Sequence, residues 1–264
     1  MTALRDDALT GKVVLVSGGT QGVGAAAARA AARCGAAAIV VTGRHPDKAS
    51  ELLDELGELG AESMVVRADV GVVEQAVNSV TATVDAFGRV DCVVNAAGIT
   101  TRGTLLDTTP ELFDEHIAIN LRGPFFIMQA AVADMVARGE PGSIVNVITM
   151  SAHGGQPFLA AYASSKGALM TLTRNAAYAH RADRIRINGL NIGWTDTPGE
   201  DEIQRRFHGA GDGWQEAAGR GLPFGRLNDP DEAANMIALL LSDASGIVTG
   251  SLIDWDQTVV GAYD

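Results

Sequence analysis

The sequence predicts an α/β fold in which a doubly wound, mostly parallel sheet of seven strands is flanked by helices. Three observations lead there. Short β-branched runs alternate along the chain with longer helical stretches. The runs are apolar throughout instead of alternating, as strands buried on both faces of a parallel sheet are. The first run leads directly into a glycine-rich turn and an alanine-rich helix. Such an alternation implies right-handed crossovers between neighbouring strands.

In chain order, strands are expected at 13–17, 38–42, 63–68, 92–95, 143–148, 185–190 and 251–254. Helices are expected at 22–34, 46–59, 72–87, 110–138, 162–180 and 230–241. Residues 194–228 form the longest irregular stretch, rich in glycine and charge. An insertion of that kind in a compact domain is a functional lid or a disordered loop. Here it follows the carboxyl end of a strand, where open α/β folds bind ligands, and it reads as a substrate lid. No repeat, low-complexity tract or linker interrupts the chain, so residues 1–264 read as one domain.

Composition narrows the function. At 264 residues, 47% hydrophobic and 20% charged, the chain can bury a substantial core. A formal charge of −12 and the absence of a basic run oppose nucleic acid and anionic membranes as partners. No apolar stretch approaches the length of a bilayer span, and residues 1–7 have no signal-peptide apolar core. Cys34 and Cys92, the only cysteines, belong to no C-x-x-C or Cys/His metal pattern. The chain reads as a reduced, cytoplasmic protein without a metal.

After the first strand come Gly18, Thr20, Gln21, Gly22, Val23 and Gly24, spaced G-x-x-x-G-x-G. Strand, glycine turn and helix opening is the context for dinucleotide binding, with the pyrophosphate at the helix N-terminus. Asp69, with Val70 after it, follows the third strand and is suited to an adenine amino group or to capping the next helix. Asn95, Ala96, Ala97 and Gly98 end the fourth strand and leave room for a ribose or adenine; Asn95 alternatively ties strands together. The second strand ends in Gly43-Arg44, where NAD sites carry a carboxylate and NADP sites a basic residue. NADP is therefore preferred over NAD, unless Arg44 is merely solvated.

Tyr162 and Lys166 stand four residues apart in an expected helix, so they share one face. A cation beside a phenol favours phenolate and lowers its pKa from about 10, fitting it for proton exchange.

Together, Gly18-x-x-x-Gly22-x-Gly24, Asn95-Ala96-Ala97-Gly98, Asn120 and Tyr162-x-x-x-Lys166 resemble, in order, the motifs of the classical short-chain dehydrogenase/reductase family. The resemblance spans about residues 11–258. It implies a single-domain Rossmann fold, a nicotinamide cofactor and a homotetramer or homodimer. It implies that Tyr162 is the general acid/base and that Lys166 binds the nicotinamide ribose and depresses the tyrosine pKa. Asn120 would anchor a proton-relay water, alongside a structural role at a helix kink. The family's catalytic serine falls on Thr149, with Ser151 as understudy. Threonine keeps the hydroxyl, but its methyl restricts χ1. The usual Pro-Gly after the sixth strand is Ile192-Gly193, followed by Thr195 and Thr197, which are expected to touch the cofactor. The usual C-terminal Asp-Gly-Gly reads Asp256-Gln257-Thr258.

Ser151, His153, Gln156 and Trp194 are expected near the substrate, with Phe158, Phe207 and Trp214 as further candidate walls. The lid mixes acidic residues with arginines and has neither a clean apolar cleft nor a basic clamp. A small polar ketone or alcohol, such as a sugar or polyol, is the expected substrate. The function expected is NAD(P)-dependent hydride transfer between nicotinamide and that carbonyl or alcohol. The alternatives are a dinucleotide-binding regulatory module of low turnover and a Rossmann-like methyltransferase.

Overall fold

The structure, a computed structural model, describes residues 6–261; most of the N-terminal segment read above for a signal peptide lies outside them. Its centre is one sheet of seven strands: β1 (Val13–Ser17), β2 (Ala38–Gly43), β3 (Glu62–Arg67), β4 (Cys92–Asn95), β5 (Gly142–Thr149), β6 (Ile185–Ile192) and β7 (Leu252–Trp255). The order is β3-β2-β1-β4-β5-β6-β7, and every neighbouring pair is parallel, not merely most of them.

Alternate side chains leave opposite faces of a strand, and two cores follow. On one face Val14, Val16, Ile39, Val41, Val94 and Val145 pack under α1 (Gly22–Arg33) and the last helix of the chain. On the other, Leu15, Val40, Val93, Ile144 and Ile187 pack under α3 (Val73–Phe87) and the helices between β4 and β6. Nine residues of α1 are buried, most of them alanine, so its backbone lies close to the sheet. The short α2 (Ser50–Glu58) follows a 3₁₀ turn at Pro46–Ala49. The two edge strands β3 and β7 are partly exposed, and Glu62 and Arg67 at the ends of β3 disfavour pairing with another chain.

Two expectations need correction. The single helix expected at 110–138 is α4 (Pro110–Ile117), a π turn (Ala118–Arg122) and α5 (Gly123–Arg138). Pro124 has no N–H to give the Asn120 carbonyl, so an unbroken α ladder cannot pass this point. The stretch expected to be irregular contains α7 (Pro198–His208) and α8 (Trp214–Gly219), after α6 (Ala160–His180). Thr197 caps α7 by accepting from Glu200 N at 3.2 Å, a Thr-Pro start that composition alone concealed. The last helix, α9 (Pro230–Leu241), begins and ends where expected.

A buried polar chain fastens α6 to the sheet. Asn95 Nδ2 on β4 donates to Asn146 Oδ1 on β5 at 2.8 Å, and Asn146 Nδ2 donates to Thr173 Oγ1 on α6 at 2.9 Å. Asn95 thus takes the strand-tying role. No helix among the described residues is long and apolar enough to cross a membrane. Replacing Asn146 with alanine strands both partners, so Asn146→Ala is expected to cost about 1–3 kcal/mol. Calorimetry should show a melting point several degrees lower; an unchanged melting point would contradict this role.

Candidate active site

The chain runs β1 to β3 in one direction and then crosses to β4, so the sheet has its switch point between β1 and β4. Ligands bind open α/β sheets outside the carboxyl ends at such a point. A cleft of ≈ 1710 Å³ opens there. Every site residue named from the sequence lines it except Asn95, Asn120 and the candidate walls Phe207 and Trp214.

At one end lies the glycine turn. Gly18 has φ +75°, and a Cβ there would sit 2.5 Å from the Ala97 nitrogen at the end of β4. A Cβ on Gly24 would overlap the Gly18 carbonyl, so α1 can start this close only with glycine. Gln21 precedes α1 without capping it, and no acidic side chain occupies the first turn. The N-terminal N–H groups therefore face the cleft free for an anion. Thr197 abuts Gly22, bringing the segment after β6 against the turn. Asp69 Oδ1 accepts from Gly71 N at 2.9 Å, whereas α3 has no side-chain cap, so the capping role does not hold.

At the other end, β5 and α6 place Thr149, Tyr162 and Lys166 together, all nearly buried. The Thr149 hydroxyl is hydrogen-bonded with Tyr162 and accepts from Ser151 N at 3.2 Å. Ser151 turns its own hydroxyl to Gln156 Oε1 at 2.7 Å. Lys166 Nζ donates to the Val147 carbonyl at 2.9 Å. Asn120 sits behind them with both amide hydrogens used, on the Ile99 carbonyl at 3.1 Å and Ser165 Oγ at 3.0 Å. Its Oδ1 accepts from Ile99 N at 2.9 Å, so this side chain holds the kink to the end of β4 and has one lone pair left for a water.

Residues 17–257 match the family described as enoyl-(acyl carrier protein) reductase. L-rhamnose 1-dehydrogenase (NAD(P)(+)) of Azotobacter vinelandii is 34% identical, over 92% of this chain and 94% of that protein. The A-factor type γ-butyrolactone 1′-reductase (1S-forming) of Streptomyces virginiae is also 34% identical, over 94% and 95%. A solved short-chain type dehydrogenase/reductase from Mycobacterium marinum superposes with a TM-score of 0.87 at 29% identity, covering 96% of both chains. The chain belongs to the short-chain dehydrogenase/reductase family. Its members are dinucleotide-dependent oxidoreductases, and this chain is an enzyme of that kind.

One expectation about this dehydrogenase/reductase fails in the ligand-free protein. Lys166 does not lower the Tyr162 pKa. Burial pushes the phenol up to about 12, with Glu200 also raising it, while the Thr149 hydrogen bond and Arg102 pull it down. Burial pushes Lys166 down to about 8. The ammonium gives one of its three N–H groups to the Val147 carbonyl.

The far wall adds residues that the motifs did not reveal. Arg102 follows β4 and lines the cleft with Glu200 and His208 of α7. Buried His116 of α4 makes an edge contact with Tyr162, ring centroids 6.3 Å apart. His45 and Lys48 join Arg44 beyond β2. A lone arginine or histidine in a loop carries no sequence signal; only the fold brings these to the cleft. His153 lines the cleft but is tied to Asp254 at 2.9 Å. Trp194 lines it and stacks on Trp214 with ring centroids 5.9 Å apart, whereas Trp214 and Phe207 do not line it.

The pKa of Lys166 has a measurable consequence. Below about pH 8 both folded and unfolded chains hold the proton, and the native state bears the full burial penalty. As pH rises from about 8 to 10.5 only the unfolded chain keeps it, and stability from this group increases. Lys166→Met is therefore expected to stabilise the cofactor-free protein at pH 7 by about 1–3 kcal/mol. The gain should shrink steadily towards pH 10.5, and thermal melts at both pH values check this; a destabilised variant at pH 7 would contradict it.

Proposed function

We propose that this enzyme reduces a carbonyl, or oxidises the corresponding secondary alcohol, of a small polar substrate, with NADP preferred over NAD. The observation that carries this reading is the meeting of Thr149, Tyr162 and Lys166 in the same cleft as the glycine turn. The donor set fits a dinucleotide: an uncapped helix N-terminus for the pyrophosphate, small residues at Ala96, Ala97 and Gly98, and Lys166 for a ribose. When bound, a nicotinamide dinucleotide supplies or accepts hydride at the substrate carbon.

The protein's own residues handle the oxygen and its proton. Tyr162 gives a proton to the substrate oxygen in reduction and takes it back in oxidation. Thr149 donates a hydrogen bond to the same oxygen, stabilising the charge that develops there. A positive charge brought beside the phenol in the loaded cleft offsets the burial that holds its pKa near 12. The α7–α8 segment is the substrate lid in this reading, with Trp194 at its inner side.

Cofactor preference rests on the end of β2. A Cβ on Gly43 would lie 2.7 Å from the Thr20 side chain, so no carboxylate fits where NAD sites carry one. Arg44, His45 and Lys48 instead present basic groups at this end of the cleft.

The test is a ketone and alcohol panel followed at 340 nm with both cofactors. Nucleotide binding without turnover of any member would favour the low-turnover binding module over the enzyme reading. Tyr162→Phe is expected to lower kcat by at least about 100-fold with cofactor affinity nearly unchanged. Retained turnover would remove Tyr162 from the mechanism. Arg44→Ala is expected to raise KM for NADP about 10-fold or more with little change for NAD; equal effects would sink the 2′-phosphate role.

A further inference from the structure

Arg102 and Glu200 both line the cleft, and the first lowers and the second raises the Tyr162 pKa. Their side chains are only 12% and 16% exposed. Arg102 is held on two sides: Nε donates to His208 Nε2 at 3.1 Å, and Nη1 donates to the Thr100 carbonyl at 3.0 Å. The Phe158 ring supports the guanidinium at 5.5 Å. Its remaining edge is ion-paired with Glu200, Nη2 lying 3.7 Å from Oε1, but at that distance it gives no hydrogen bond. Glu200 Oε1 accepts from Trp194 Nε1 at 2.9 Å and Gln204 Nε2 at 2.7 Å. Its Oε2 makes no hydrogen bond among the described residues. The wall beside the acid/base tyrosine therefore offers one fixed charged donor and one fixed charged acceptor, side by side.

We propose that Arg102 and Glu200 are specificity-determining residues that select a neutral substrate carrying a hydroxyl on the carbon next to the reacting one, a 1,2-diol or its hydroxyketone. The inference rests on the hydride-transfer reading above. A hydroxyl both accepts and donates, so it satisfies Arg102 Nη2 and Glu200 Oε2 at once. A carboxylate satisfies the arginine but brings a second negative charge against Glu200. A bare methylene bonds neither Arg102 Nη2 nor Glu200 Oε2 and keeps water from both. Sites built to bond a hydroxyl reject the analogue lacking it far more strongly than apolar pockets reject an extra methylene.

The test uses three alcohols on one ring with the intact protein and NADP: cyclohexanol, 1,2-cyclohexanediol (cis and trans) and 2-hydroxycyclohexanecarboxylate. The better diol is expected to exceed cyclohexanol in kcat/KM by about 10–100-fold, and the carboxylate by at least as much. In Arg102→Met and in Glu200→Gln the diol-to-cyclohexanol ratio should fall towards one. A ratio measured within one variant cancels any loss of folded protein; if either variant does not fold, Arg102→Lys and Glu200→Asp supply the same ratio. A diol advantage that survives both substitutions, or the absence of any diol advantage, overturns this inference alone. A preference for the carboxylate that Arg102→Met abolishes makes Arg102 an anion clamp and overturns it as well. No turnover of any ring overturns the oxidoreductase reading and the inference with it.

Discussion

The burial of Lys166 against β5 is the constraint on which the site depends. An ammonium in a protein interior is costly unless it is bonded, and this one has the Val147 carbonyl at 2.9 Å. The Asn95–Asn146–Thr173 chain, two bonds of 2.8 and 2.9 Å, fixes α6 to two neighbouring strands. From the same helix Tyr162 meets Thr149 at the end of β5. The polar core thus holds the helix that brings Tyr162 and Lys166 to Thr149.

In the ligand-free values of these groups burial is the largest cause. A phenol near 12 and an ammonium near 8 are each displaced towards neutrality, as desolvation requires. The phenol at that value is not poised for proton transfer near neutral pH. Completing the site therefore needs charge from outside it, and the free N-terminus of α1 and the basic end of β2 are where an anionic dinucleotide would be held. Burial of Lys166 costs stability, as is expected of a group kept for function.

Much of this was legible in the sequence. Apolar runs broken by helical stretches are sufficient for the sheet, because strands covered on both faces have no polar side to show. The glycine turn and the Tyr162/Lys166 pair were legible because chemistry fixes their spacing within single elements, and Thr149 because it stands where the family it resembles has a serine. Other features were hidden for physical reasons. The π turn at Ala118–Arg122 lies inside an unbroken apolar pattern, and only Pro124 betrays it. The helices α7 and α8 have polar sequences held by Thr197, by the Trp194–Trp214 stack and by Asp201 accepting from Trp214 at 2.7 Å. Arg102 and Glu200 are 98 residues apart, and their meeting is a product of the fold. The direction of the Tyr162 shift was misread because sequence spacing shows a neighbouring charge but not the burial that outweighs it.

The most direct test of this account is the ionisation of Tyr162 at pH 9, read as the ultraviolet phenolate difference between the native protein and Tyr162→Phe, with and without NADP⁺. The account predicts no phenolate in the cofactor-free protein, where burial holds the pKa near 12, and a phenolate signal once NADP⁺ is bound. Phenolate already present without nucleotide, or none with the cleft saturated, would contradict it.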